Sequence, residues 1–133
     1  MTYLIDTDQV IWYLRGQESV VNLLQSLGKG NLGLSVVALA EVLEGIYNQP
    51  DETKRFEGLA KFLTGVKVVD VDERIAHQFA KIRSNLRQRG NLIENMDIFI
   101  AATAMVNDLV LVTDNKKDFE RIKGLKLYKH TSS

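Results

Sequence analysis

The segment Tyr3-Leu4-Ile5-Asp6-Thr7-Asp8 carries the first clue to the architecture of this chain. Its first three residues are apolar and predict a short buried strand. We expect Asp8 to cap a helix over residues 9–15, which Gly16 ends. Asp6 therefore falls where a buried strand ends and a helix begins.

Strands and helices alternate along the rest of the chain. The predicted strands that follow cover residues 32–36, 66–71, 109–112 and 125–128, and the predicted helices that follow cover residues 19–27, 38–47, 51–63, 72–89, 98–106 and 117–122. This alternation favours an α/β fold with a mostly parallel sheet and right-handed crossovers. Ligands of such sheets bind beyond the carboxyl ends of the strands, so an acid directly after a strand is a candidate site residue.

Length and composition limit the class of protein. A chain of 133 residues, of which 45% are hydrophobic, predicts one globular domain over residues 1–133. Because cysteine is absent, disulfides, thiolate metal sites and cysteine nucleophiles are excluded. No apolar run approaches the roughly 20 residues that span a bilayer, and the N-terminus lacks the pattern of a signal peptide. We therefore expect a cytoplasmic protein with no membrane partner.

The charge balance bears on binding to nucleic acids. Lys and Arg together number 17, as do Asp and Glu, so the formal net charge is zero. Most domains that bind nucleic acids are clearly basic, because counterion release drives much of their affinity. If several acids gathered in one metal site, however, the remaining surface would be basic by difference, and the metal would cancel the acid cluster.

Four acids occupy positions that a parallel sheet would bring together. Asp6 and Asp114 each follow an apolar run, and both are expected at the same edge of the sheet. Asp97 precedes the apolar residues 98–105, where a carboxylate is costly unless it is paired or bound to metal. Glu41 lies one turn into the predicted helix over residues 38–47. The residues that share its face of that helix are small, which leaves space for a site. Taken singly, each acid could instead be a helix cap, a first-turn acid or half of a salt bridge.

The available donors favour a hard divalent cation. Carboxylate oxygens are the ligands that magnesium prefers, and it supplements them with water. The two histidines, His77 and His130, form no spaced pair and cysteine is absent, so a zinc site is not expected. One or two magnesium-like ions can activate a water and stabilise the departing oxygen in phosphodiester cleavage.

Four stretches of the sequence resemble the PIN-domain nucleases, and within them the VapC-type toxins of bacterial and archaeal toxin–antitoxin pairs. The stretches are residues 3–8 (YLIDTD), 34–45 (LSVVALAEVLEG), 97–104 (DIFIAATA) and 111–119 (LVTDNKKDF), in the order of that family. The resemblance implies a three-layer α/β/α fold with a mostly parallel five-stranded sheet. It also implies an endoribonuclease that depends on Mg²⁺ or Mn²⁺, a homodimer, and inhibition by a cognate antitoxin protein.

The same resemblance implies roles for individual acids. Asp6, Glu41 and Asp97 match the family's first three acids. In many members a fourth acid follows the last core strand in a Thr-x-Asp pattern, and that position is Asn115 here. Asp114 and Asp118 flank it, and either could supply the carboxylate. The expected catalytic set is Asp6, Glu41, Asp97, Asp114 and Asp118, and the expected metal ligands are Asp6, Asp97, Glu41 and Asp118.

Two other functions fit parts of the sequence. The segment that begins with Asp6 also resembles the first motif of haloacid-dehalogenase-like phosphatases, in which the first Asp is a nucleophile and the second a general acid. That function gives no role to Glu41 or Asp97. A PIN-like module that binds RNA or protein without catalysis is the other alternative, and Asn115 is the one residue that favours it.

Overall fold

The computed structural model describes residues 1–129 and contains a parallel sheet. Its four strands are Tyr3–Ile5 (β1), Leu32–Ser35 (β2), Lys67–Val69 (β3) and Val110–Val112 (β4). Their order across the sheet is β3-β2-β1-β4, and every neighbouring pair is parallel. The strands therefore end at one edge of the sheet, and the predicted α/β fold with a parallel sheet is confirmed.

The segment predicted as a fifth strand, residues 125–128, does not extend this sheet, so the five-stranded prediction was wrong in that detail. The segment meets β4 at one residue pair, Leu111 and Leu127. Both of the backbone hydrogen bonds there involve Leu111, whose N–H donates to the carbonyl of Lys126 and whose carbonyl accepts from the N–H of Tyr128. A single bridge starts no ladder of evenly spaced bonds, so the segment lies beside β4 as irregular chain.

Seven α-helices join and flank the strands within residues 1–129, the number predicted. They are Thr7–Leu14 (α1), Glu18–Leu27 (α2), Val36–Ile46 (α3), Glu52–Leu63 (α4), Glu73–Gln88 (α5), Asn95–Val106 (α6) and Lys116–Phe119 (α7). A turn of 3-10 helix, Lys29–Asn31, precedes β2. In the packed domain α1 contacts α2, α3 and α4, and α5 packs along α6.

Several helices begin one to three residues earlier than predicted, and for two of them, α1 and α6, the difference places an acid. α1 begins at Thr7 because the side chain of Asp6, rather than that of Asp8, accepts a hydrogen bond from the Thr7 N–H. Asp8 instead lies exposed in the first turn. α6 begins at Asn95, three residues before the predicted start, so Asp97 belongs to its first turn.

The apolar core fixes the helix that carries Asp97. α6 is buried almost all round, as its composition predicts, and its fully buried apolar side chains are those of Ile98, Ile100, Ala101, Ala102 and Ala104. Burying one large apolar side chain contributes about 1.5–3 kcal/mol, so packing against the core fixes the position of α6 and of its first turn.

None of the helices within residues 1–129 is long and apolar enough to cross a membrane.

Candidate metal centre

Asp6 is the most rigidly held acid at the edge of the sheet. It directly follows β1 and is only 6% exposed. The Thr7 N–H donates to its Oδ1 at 2.9 Å, and the Thr113 hydroxyl donates to its Oδ2 at 2.6 Å. Burial raises the pKa of Asp6 above its usual value, although these two hydrogen bonds act in the opposite direction. Both carboxylate oxygens are therefore oriented before any ligand binds.

Thr7 connects Asp6 to a second acid, Glu41. Glu41 is half-buried on α3, which begins at the end of β2 with Ser35 as its N-cap. The Thr7 hydroxyl donates to Oε1 of Glu41 at 2.6 Å, while the N–H of the same residue donates to Asp6. One small residue thus fixes the carboxylates of two elements that are far apart in sequence.

Asp97 lies among the other acids and responds to their charge. Its pKa is raised to about 7, chiefly because the carboxyl is partly buried. The next causes are the negative charges of Asp6, Glu41 and Asp118, followed by that of Glu94. Three of the acids singled out from the sequence therefore surround the fourth closely enough to oppose its ionisation.

Asp118 and Asp114, the two candidates for the fourth acid, lie in different environments. Asp118 is half-buried on α7, and Asn115 Nδ2 donates to its Oδ2 at 3.2 Å. Asp114 is exposed. Because the charge of Asp118 acts on Asp97, Asp118 is the better candidate. Asn115, at the position where an acid is expected from the sequence, instead orients that neighbouring carboxylate.

Two hydroxyl groups in this centre were not singled out from the sequence. Thr113 is 1% exposed; its hydroxyl donates to Asp6 and accepts from the N–H of Asn115 at 3.0 Å. Thr7 plays the corresponding part between Asp6 and Glu41. The available signal was position, because each threonine follows a buried strand within two residues, and a buried hydroxyl requires a hydrogen-bond partner.

The donor set and its charge fit a hard divalent cation. The centre offers carboxylate oxygens, and no salt bridge among residues 1–129 involves Asp6, Glu41 or Asp97. His77 is exposed on α5, and His130 lies outside the described residues. No three acidic or histidine side chains in the described part are close enough to cage an ion by themselves. This arrangement suits an ion that keeps several waters and takes only one or two carboxylates directly, as Mg²⁺ does.

Comparison with known proteins places this geometry in a family. Residues 3–125 match the family model of the PIN domain. The chain is 36% identical to ribonuclease VapC1 of Methanocaldococcus jannaschii, over 94% of this chain and 85% of that protein. It is 30% identical to ribonuclease VapC2 of Rickettsia felis, over 94% of this chain and 95% of that protein.

Solved structures give the same result. A chain in the crystal structure of VapBC2 from Rickettsia felis, bound to a promoter DNA fragment, aligns with a TM-score of 0.89 and 29% identity over 96% of this chain and 98% of its own. A chain in the structure of FitAcB from Neisseria gonorrhoeae aligns with a TM-score of 0.85 and 29% identity over 96% of this chain and 97% of its own. Since the family model covers nearly the whole chain and the fold agrees end to end, this protein belongs to the PIN-domain family.

Proposed function

We propose that this chain is an endoribonuclease that depends on a divalent cation and acts as the toxin of a toxin–antitoxin pair. The observation that carries the proposal is that Thr7 hydrogen-bonds to both Asp6 and Glu41, and that the charges of these two acids and of Asp118 act on Asp97. Carboxylates gathered in this way suit metal-assisted phosphodiester cleavage. The similarity to proteins named VapC ribonucleases supports RNA as the substrate and does not favour the phosphatase alternative.

In this proposal Mg²⁺ or Mn²⁺ lies among the four acids, one or two of which bind it directly while the others bind it through water. The bound cation supplies Lewis acidity for hydrolysis of the RNA backbone. Thr7 and Thr113 keep the two oxygens of Asp6 facing in fixed directions. Because the pKa of metal-free Asp97 is about 7, about half of its carboxyls carry a proton at neutral pH, and each releases it to solvent when a cation binds.

Basic side chains near the acids are proposed to grip the phosphates of the substrate. Lys116 and Lys117 begin α7, the helix that carries Asp118. Lys117 is exposed, and Lys116 is partly buried. Phosphate contacts of this kind position a nucleic acid without reading its sequence.

A groove between α1, α3 and α4 is proposed to receive a segment of the antitoxin. It has a volume of about 360 Å³. Its apolar floor contains Ile11, Leu14, Val42 and Ile46, and its rim carries Arg15, Asp51, Lys54 and Arg55. Arg55 pairs with Asp51 at 2.6 Å, and the rim as a whole keeps a net positive charge. The apolar floor and this basic rim match an apolar segment with acidic flanks, and α3 continues directly from the groove to Glu41. The relatives solved as VapBC complexes support an antitoxin as the occupant, and copurification of the two proteins tests it.

Cleavage of total RNA by the purified protein tests the proposed activity. We expect cleavage with Mg²⁺ or Mn²⁺ that a chelator abolishes. Asp6→Asn and Asp97→Asn should each lower the rate by roughly a hundredfold or more while the fold is retained. Asp118→Asn should lower the rate as well, whereas Asp114→Asn is the matched control and should cleave like the unaltered protein.

The opposite results would be equally informative. Normal cleavage by Asp6→Asn or Asp97→Asn would show that the proposed site is wrong. A well-folded protein that cleaves no RNA with either metal would contradict the nuclease and favour the binding module. If Asp114→Asn loses activity and Asp118→Asn keeps it, the fourth acid has been assigned to the wrong residue.

A further inference from the structure

Arg121 lies beside the metal centre and joins two of its elements. Its guanidinium Nη2 lies 3.4 Å from Oδ1 of Asp118. From the same side chain, Nη1 donates to the carbonyl of Leu92 at 3.2 Å and to that of Asn91 at 3.5 Å. Those two carbonyls belong to the loop that leads from α5 into α6, where Asp97 lies in the first turn. One side chain therefore links the fourth acid to the segment that delivers Asp97.

The carboxylate of Asp118 is held from both sides. Arg121 approaches Oδ1, and the side-chain amide of Asn115 donates to Oδ2. A rotation of the Asp118 side chain would break at least one of these contacts. Its direction is thus set jointly by a residue on the loop before α7 and a residue just after that helix.

The backbone of Arg121 is itself anchored to the end of α5. The guanidinium of Arg89, the C-cap residue of α5, donates to the carbonyl of Arg121. Both side chains of the Arg121–Asp118 pair are only about a third exposed or less, at 28% and 33%. An ion pair in such a setting is partly screened by water, so its geometry matters more than its Coulomb energy.

We propose that Arg121 is a positioning residue of the metal centre: by binding the Asp118 carboxylate and the carbonyls before α6 together, it sets the spacing between Asp118 and Asp97. This inference rests on the proposed metal-dependent function. A guanidinium can serve all of these acceptors at once because it presents five N–H donors in a rigid plane. A lysine at this position keeps the charge but concentrates its donors on one nitrogen, so it cannot reproduce the bridge.

Titration of the whole protein with Mn²⁺ alone tests the proposal, with thermal stabilisation as the readout and no RNA present. Arg121→Lys leaves the charge near the site unchanged, so any effect on the midpoint reports geometry. We expect the Mn²⁺ concentration at half-maximal stabilisation to rise roughly tenfold, as for other residues that orient metal ligands. Arg74→Lys is the matched control, because Arg74 pairs with Asp72 at the far end of α5, and it should leave the midpoint unchanged.

A second variant distinguishes positioning of Asp118 from a general structural role. In an Asp118→Asn background, Arg121→Lys should change the Mn²⁺ midpoint much less than in the unaltered protein, because the two substitutions remove the same interaction. An equal change in both backgrounds, or no change from Arg121→Lys alone, would overturn the proposal. If Arg121→Lys does not fold, Arg89→Lys replaces it, with a rise in the midpoint supporting the proposal and an unchanged midpoint overturning it.

The metal site itself is checked by the same titration. Stabilisation of the unaltered protein that Asp97→Asn abolishes supports the proposed metal centre, and the effect of Arg121→Lys is then judged separately. Absence of any Mn²⁺ effect in the unaltered protein would overturn both the metal centre and the role of Arg121.

Discussion

At the scale of single residues, two threonines organise the acids. Thr7 and Thr113 donate hydroxyl hydrogen bonds of 2.6 Å to Glu41 and Asp6. Hydrogen bonds to a charged acceptor are short and roughly twice as strong as those between neutral groups. The bond from Thr113 favours the ionised form of Asp6, so it partly offsets the burial that raises the pKa of that carboxyl. The centre is therefore arranged for charge before a cation neutralises it.

Asp97 makes the stability of the metal-free protein depend on pH. Its pKa is about 7 when folded and 3.8 as the reference value, so between these pH values the folded state binds more protons than the unfolded state. Stability should therefore fall as the pH rises from about 4 to about 7, and the loss should be complete above pH 7. Allowing for solvent screening, we expect about 1–2 kcal/mol from this residue, measured by urea unfolding in chelator at pH 5 and pH 8.

The Asp97→Asn variant isolates that contribution. It should be more stable than the unaltered protein at pH 8 and should show a smaller difference between the two pH values, with the remaining slope arising from Asp6, whose pKa is also raised. Asp114→Asn serves as the control, because its side chain is exposed. If Asp97→Asn is no more stable than the unaltered protein at pH 8, burial and the neighbouring negative charges do not destabilise ionised Asp97. A stabilising substitution that abolishes activity is typical of a functional site.

At the scale of helices and strands, a glycine within α4 forms part of the lining of the groove. Gly58 lies inside α4 and lines the groove, and a Cβ added there would meet nothing within 4 Å. Glycine within a helix lowers stability by roughly 0.5–1 kcal/mol relative to alanine, because the unfolded chain has more freedom to lose. We therefore expect Gly58→Ala to raise the free energy of unfolding by that amount, measured by urea denaturation.

Gly16 provides the opposite control for this prediction. It follows α1 with a φ of 76°, a conformation that residues with a side chain rarely adopt, so Gly16→Ala should be destabilising although the space around it is open.

The larger substitution Gly58→Leu should keep the fold and cleave RNA but bind the antitoxin less tightly, because its side chain fills the groove. Unchanged copurification with the antitoxin would place the binding surface elsewhere.

Sequence patterns located the elements well but not all their ends. The spacing of apolar and polar residues predicted all seven helices, because each helix buries either one apolar stripe or its whole surface. The start of α1 was misplaced because Asp6 and Asp8 are equally good caps by composition, and only the packed structure shows which one accepts from Thr7. The apolar run 125–128 resembles a strand locally, but the extent of pairing with β4 is a tertiary property.

The predicted site illustrates the same limit. Strand ends and apolar flanks identified Asp6, Asp97 and Glu41 as candidates from sequence, because parallel strands end at one edge. The choice between Asp114 and Asp118 turns on the path of the chain after β4, which no periodicity encodes. The contribution of Arg121 was likewise invisible, since its partners Leu92 and Asn91 lie about thirty positions away.

At the scale of the whole molecule, the proposed metal ligands tie the domain together. They come from four places that span most of the chain: the end of β1 (Asp6), α3 (Glu41), α6 (Asp97) and α7 (Asp118). An ion that these elements hold, directly or through water, binds the folded state and not the unfolded one, so it stabilises the domain as a unit. At a Mn²⁺ concentration of about 100 times the dissociation constant, the free energy of unfolding should rise by about 2.7 kcal/mol.

This stabilisation should depend on pH in the direction opposite to that of the metal-free protein. At pH 5 most Asp97 carboxyls carry a proton that competes with the cation, so more Mn²⁺ is needed than at pH 8. Urea unfolding with Mn²⁺ and with chelator at both pH values measures this stabilisation, and Asp97→Asn should lose most of the stabilisation by Mn²⁺. Equal stabilisation of the unaltered protein and Asp97→Asn would mean that the ion binds elsewhere. No stabilisation at either pH would indicate a PIN domain that binds its partners without metal-dependent catalysis.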